Sequence, residues 1–237
     1  YGRKEATGVG VAVITRESLK KIGVNIKDSK IAIQGFGNVG SNTAKHLARM
    51  GGNILSISEY DSEHGIYTIY NEDGFNISEL ISHFAKYNTL INYENAKHIS
   101  IDQFYSLDVD VLIPCALENA ITEEEAKKIR AKLIVEGANG PVDYIADGIL
   151  RQKDIGVIPD ILANSGGVIA SYFEWVQNIS GIDMTEDDVL NKVEYKMLLA
   201  YNEIMNIKDE YGVTMRLASY IYSVLRLYKI LKLRSRI

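Results

Sequence analysis

A doubly wound, Rossmann-like α/β fold is what this 237-residue sequence predicts: a mostly parallel sheet, helices on both faces, and a helical extension at the C-terminus. Three observations predict it. Short β-branched runs bounded by Gly or Pro have the character of strands buried on both faces. Helical patterns separate those runs, so the connections are crossovers and the sheet is parallel. After Asp160 the runs stop while helical periodicity continues.

In chain order, a helical stretch over residues 5–22 leads into the first strand, Lys30-Ile-Ala-Ile-Gln-Gly35. Further strands are expected over 53–59 (NILSISE), 109–114 (VDVLIP), 132–137 (KLIVEG) and 156–159 (GVIP). Helices are expected between them over 38–50, 78–87, 122–131 and 142–152. Thr122 with three glutamates behind it is a cap followed by acid in the first turn. Residues 67–70 alternate ahead of an Asn-Glu-Asp-Gly turn and read as a strand of their own. Beyond the sheet, 164–178 is helical, and Thr185 opens a long helix with Val189, Val193, Tyr201 and Ile204 at apolar positions. Leu217, Ile221, Val224, Leu225, Tyr228 and Leu231 then step at three and four residues, one face of a last helix. The simplest reading of that stripe is core packing; the other is an interface. Residues 1–180 are expected to form the sheet domain and 181–237 the helical extension.

Composition sets the limits. With 46% apolar and 24% charged residues the chain is that of a globular protein of one to two domains, not a disordered or disulfide-built one. A net charge of −5 argues against nucleic acid or an anionic membrane surface as the main partner. No apolar run approaches the roughly 20 residues of a membrane span. The single cysteine, Cys115, excludes an internal disulfide and points to a reducing compartment, the cytoplasm or, in a eukaryote, the mitochondrial matrix. The chain begins at Tyr1, not Met, and reads as a piece of something longer.

The chemistry lies in Gly35-Phe36-Gly37-Asn38-Val39-Gly40, a G-x-G-x-x-G that ends the first strand and opens a helix. Gly35 permits a tight turn, Gly37 lets a pyrophosphate approach the backbone, and Gly40 lets helix and strand pack closely. Main-chain amides at the helix start then face the anion. This motif also calls for an acid about 20 residues on, at the ribose. Glu59 stands 19 residues past Gly40, with Asp61 as the alternative. A carboxylate there accepts from a free 2′-hydroxyl and repels a 2′-phosphate, favouring NAD, with NADP the alternative.

Other catalytic constellations are missing from the sequence. His46, His64, His83 and His98 have no metal-ligand spacing, and no metal is expected. Cys115 reads as a buried small hydrophobe rather than a nucleophile. Three Asn/Gly segments follow strands on the edge where a ligand crevice belongs: 117–119, 136–140 and 162–167. An asparagine amide both donates and accepts, which suits a nicotinamide carboxamide or a ribose.

YGRKEATGVG, IAIQGFGNVGSNTAKHL, LIVEGANGPV and VIPDILANSGGVIASYFEWVQN together resemble glutamate dehydrogenase, and the likeness returns over 215–228. The Ser171-Tyr-Phe-Glu-Trp175 block points to glutamate rather than leucine, phenylalanine or valine. The resemblance implies that Thr7, Asn38, Ala116, Asn139 and Asn164 hold the dinucleotide, with Phe36, Gly37 and Val39 lining its pyrophosphate and Glu59 at the ribose. It implies that Arg3 and Ser171 reach the substrate, glutamate or 2-oxoglutarate. Ser165 stands where the family has alanine, and the loop 59–65 is longer than in relatives. Family chemistry is oxidative deamination: hydride passes from the glutamate α-carbon to the nicotinamide, and water attacks the resulting imine. Its catalytic lysine and aspartate lie in an N-terminal substrate domain with no counterpart here, so no catalytic residue is assigned and this chain alone is expected to be inactive. The resemblance further implies that the full-length protein is a homo-oligomer and that the C-terminal helices pack back toward that domain. The alternatives are a non-catalytic dinucleotide-binding or interaction module, and a related amino-acid dehydrogenase.

Overall fold

The computed structural model describes residues 2–234; Tyr1 lies outside them. Helix α1 (Arg3–Lys21) and a 3-10 turn (Ile26–Asp28) precede strand β1 (Lys30–Gln34), then α2 (Asn38–Arg49), β2 (Asn53–Asp61) and β3 (Gly65–Tyr70). Next come α3 (Ile77–Tyr87), β4 (Lys97–Ile99), α4 (Ile101–Tyr105), β5 (Val111–Pro114) and α5 (Glu123–Lys128). They are followed by β6 (Leu133–Val135), α6 (Tyr144–Gln152) and β7 (Gly156–Ile158). The remaining helices are α7 (Asp160–Ala163), α8 (Gly166–Ser180), α9 (Glu186–Tyr211) and α10 (Met215–Leu233).

The strands form one sheet in the order β4-β3-β2-β1-β5-β6-β7. From β2 to β7 across β1 the neighbours are parallel, and β3 pairs antiparallel with both β2 and β4. The period of two along each central strand divides its side chains between two cores. Ile31, Ile33, Val111, Ile113, Leu133 and Val135 pack with α1, α2 and α8–α10. Ala32, Leu112 and Ile134 pack on the opposite face with Phe104, Ala126, Ala146 and Leu150 of α4–α6. Both faces are covered, as the uninterrupted apolar runs require. Growth of the sheet reverses between β1 and β5, so a crevice opens outside their carboxyl ends.

Helix α1 is buried nearly all round, from Ala6 to Leu19, because it lies between the sheet and the C-terminal helices. A Cβ on Gly166 would lie 2.2 Å from the Ala6 carbonyl oxygen, so the first turn of α8 reaches α1 only as glycine. Helix α9 opens with a reciprocal Thr185–Asp188 box and buries Val189, Val193, Met197, Tyr201 and Ile204.

Some expectations are corrected. The helix expected over 122–131 ends at Lys128, because Lys153 Nζ donates to the carbonyls of Ala126 (3.0 Å), Lys127 (2.9 Å) and Ile129 (2.6 Å). The stretch 164–178 is not one helix from its start: Asn164 ends α7, and α8 begins at Gly166. Strand β4 and helix α4 were not foreseen; three residues of edge strand carry too little pattern. Core packing of the last stripe is overturned. Leu217, Val224, Leu225, Tyr228 and Leu231 are exposed, and only Met215, Ala218 and Ser219 of α10 are buried. After its first turns α10 leaves the body of the domain. No helix among the described residues is long and apolar enough to cross a membrane.

Candidate functional site

The glycine turn stands at the β1/β5 crevice. Gly35 has φ +92°, open to glycine at no steric cost, and its missing Cβ would meet the Ala116 backbone nitrogen at 2.9 Å. Gly40 is tighter still: a Cβ there would lie 1.9 Å from the Gly35 carbonyl oxygen. Gly37 is the opposite case. Its φ of −67° is ordinary, and no heavy atom lies within 4 Å of where its Cβ would be. A glycine there leaves the main chain open to an approaching group. Gly37 also caps α2 with no side-chain hydrogen bond and no acid in the first turn, whereas Asn76, Ser100, Asp143, Thr185 and Thr214 cap their helices with side chains. The first amides of α2 and its dipole are thus left for an anion.

Phe36 contributes main chain alone. Its ring is buried edge-on against Phe84 (centroids 5.6 Å apart), and its N–H donates to Glu59 Oε2. Glu59 Oε1 accepts from the Tyr60 N–H at 2.8 Å, so the carboxylate is held over the turn. Asp61, the alternative, is committed elsewhere. Its Oδ1 accepts from the amides of Glu63 (2.8 Å) and His64 (3.1 Å) and meets His64 Nδ1 at 3.0 Å, closing the β2–β3 hairpin. The His64 bond, with the two amides, lowers the Asp61 carboxyl to about 2.

The other expected residues join one another around the crevice. The Asn119 N–H donates to the Gly140 carbonyl (2.8 Å), tying the loop after β5 to the loop after β6. Asn164 Nδ2 donates to Asn139 Oδ1 at 2.8 Å, tying the loop after β6 to the end of α7. Among the described residues nothing engages Asn139 Nδ2 or Asn164 Oδ1. One donor and one acceptor of the linked pair therefore remain, the complement of a carboxamide. Gly167 leaves room for Thr7 Oγ1, which a Cβ would approach to 2.4 Å. Asn38 Nδ2 donates to the Lys4 carbonyl at 3.0 Å, bringing α2 to the head of α1. Val39 is half-buried behind it and Ala116 exposed at the mouth.

Arg3 lies one turn before Thr7 on α1, and Ser171 one turn after Gly167 on α8, so the Thr7–Gly167 contact places both on neighbouring ladders. Arg3 Nη1 reaches Glu174 Oε2 at 3.8 Å across the same pair of helices. Tyr172 and Trp175 are exposed beside them.

Cys115 follows β5 beneath this site. Burial pushes its thiol up to about 12. Alkylation of the folded chain near pH 8 is expected to run about a thousandfold slower than for a free thiol, from the thiolate fraction alone. A time course with iodoacetamide checks this; a rate near that of free cysteine contradicts it.

One feature escaped the sequence reading. Glu136, fully buried at the end of β6, takes a two-pronged contact from Arg216 at the head of α10: Nη2 to Oε1 at 2.8 Å and Nη1 to Oε2 at 3.1 Å. Arg216 also reaches Asp147 at 3.0 Å and Asp160 at 3.9 Å. Its guanidinium is held firmly charged by these partners despite burial. A glutamate closing an otherwise apolar strand was the available signal, since a buried carboxylate needs a partner.

A doubly wound sheet with a glycine turn at its switch point is the architecture of coenzyme-binding domains. The sequence pattern narrows that class. The chain belongs to the Glutamate/Leucine/Phenylalanine/Valine dehydrogenase family, which it matches over residues 1–234. It is 45% identical over 233 residues to the NAD-specific glutamate dehydrogenase of Clostridioides difficile. Identity to the NAD-specific glutamate dehydrogenase of Peptoniphilus asaccharolyticus is 46% over 233 residues. Both alignments take in 98% of this chain and 55% of the relative, so the chain spans about half the length of the curated relatives it matches. The crystal structure of the Peptoniphilus asaccharolyticus enzyme superposes with a TM-score of 0.87 at 43% identity, over 99% of this chain and 54% of that one. A hetero-hexameric glutamate dehydrogenase from Thermus thermophilus superposes at 0.88, over 99% of this chain and 54% of that one; at 24% identity this is a likeness of fold.

Proposed function

We propose that this chain is the NAD-binding half of a dehydrogenase that oxidatively deaminates L-glutamate to 2-oxoglutarate and ammonia. The observation that carries the reading is the Gly37 cradle, a glycine with ordinary torsions and empty space at its Cβ above an uncapped helix. The amides after Gly37 would hold the pyrophosphate, Glu59 the adenosine ribose, and Asn139 with Asn164 the carboxamide, with Thr7, Asn38 and Ala116 around them. Bound NAD supplies the hydride acceptor. The chain's own residues bind and orient: Ser171 and Arg3 would approach the substrate from the α8 and α1 ladders. The relatives' names and the Ser171–Trp175 block support glutamate as that substrate.

The acid–base pair of the chemistry would come from a substrate domain outside this chain. The exposed apolar face of α10 and the exposed Tyr172 and Trp175 support that domain, in a homo-oligomeric full-length protein, as what covers them. Comparing glutamate with leucine as substrates of the full-length enzyme tests the specificity.

Glu59 makes the coenzyme preference testable. A carboxylate about 5 Å from a 2′-phosphate costs about 3 kcal/mol at an effective dielectric near 20. Calorimetric titration should therefore show NAD bound about 100-fold more tightly than NADP. Glu59→Gln should bring the ratio below about tenfold. Tighter binding of NADP, or a ratio unmoved by the substitution, contradicts the reading.

A further inference from the structure

The glycine turn and Glu59 engage the adenosine end of a dinucleotide, so its other end extends across β5 toward β6 and β7. There the loop of residues 137–140 is held by a tether that begins in the last helix. Arg216 grips Glu136 with both nitrogens (2.8 and 3.1 Å). Glu136 Oε2 in turn accepts the Asp160 N–H at 2.7 Å. Asp160 Oδ2 accepts the Gly140 N–H at 2.8 Å, and Asn139, the residue before it, meets Asn164. Every link up to Gly140 is made by a charged group that also has a second partner, which fixes both position and angle. A lysine could not reproduce the planar fork.

We propose that Arg216 is a positioning residue for the nicotinamide end of the site: through Glu136 and Asp160 it sets the loop 137–140 so that the Asn139–Asn164 pair faces the carboxamide. The inference rests on the dinucleotide reading above. A purely structural ion pair would support the whole domain equally. A positioning tether acts on one end of the ligand.

The test compares NAD with ADP-ribose, which lacks the nicotinamide, by calorimetry on the 237-residue chain. Arg216→Lys and Asp160→Ala are expected to weaken NAD at least about tenfold while ADP-ribose changes by less than about twofold. Asp160→Asn keeps an acceptor for Gly140 and should restore most of the loss. Hydrogen exchange at the Gly140 amide in Asp160→Ala should rise at least about tenfold while Leu133–Val135 of β6 stays protected, a readout that needs no ligand and survives failure of the Arg216 variant to fold. Equal weakening of both ligands, undiminished NAD binding, or unchanged exchange at Gly140 overturns the positioning role alone. A wild-type chain that does not bind ADP-ribose overturns the dinucleotide reading, and this inference with it.

Discussion

Replacing Arg216 with methionine is expected to lower folding stability by about 3–5 kcal/mol near neutral pH, the cost of stranding a buried carboxylate. Glu136 is fully buried, and without the guanidinium its carboxylate keeps only the Asp160 N–H. Burial already pushes the Glu136 carboxyl up against the contacts of Arg216, and the Asp160 carboxylate pushes it the same way. Removing the cation raises it further. For an acid whose folded pKa exceeds its unfolded value, stability is fully present below the unfolded value and lost as pH rises through the folded one. The gap between variant and wild type should therefore be smaller near about pH 4.5 than near about pH 7.5. Denaturant unfolding at both pH values measures it. A gap of equal size at the two contradicts the account, and Glu136→Leu added to Arg216→Met should recover much of the loss.

The second large effect belongs to Gly40. An alanine methyl there would lie 1.9 Å from the Gly35 carbonyl oxygen and 2.8 Å from its carbon, both backbone, so the turn itself must move. Overpacking of this kind costs about 3 kcal/mol. Because the displaced atoms belong to the anion cradle, NAD affinity should fall more than about 100-fold as well. Gly148 of α6 supplies the control. It is a helical glycine with nothing within 4 Å of its Cβ position, so Gly148→Ala should stabilise by about 0.5–1 kcal/mol. Urea melts and NAD titrations of the two variants separate crowding from the mere loss of a glycine; similar behaviour at both sites contradicts the steric argument.

What the sequence made legible is what is local. The run from Lys30 to Gly40 encodes strand, turn and helix start within eleven residues, and strands and helices that alternate in sequence leave few topologies for the sheet. Spacing marks Glu59 as a candidate but does not separate it from Asp61, because the hairpin that engages Asp61 depends on β3 returning antiparallel to β2. The stripe on α10 has the periodicity of a buried face, and periodicity cannot say what buries it. The pairing of Glu136 with Arg216, 80 residues apart, leaves no local pattern and waits on the fold. Ser171 and Arg3 were placed by resemblance, and only the antiparallel run of α8 on α1 shows why residues so distant in sequence share an edge.

Gly37 carries the most direct test. Serine is a favourable N-cap, so Gly37→Ser should keep the domain's stability within about 0.5 kcal/mol of wild type. Its Cβ and hydroxyl would nevertheless occupy the space where the main chain is offered to a diphosphate. Calorimetric titration with NAD should show one site per wild-type chain and at least about 50-fold weaker binding to the equally stable variant. Equal binding by the two proteins, or none by the wild type, would contradict the account.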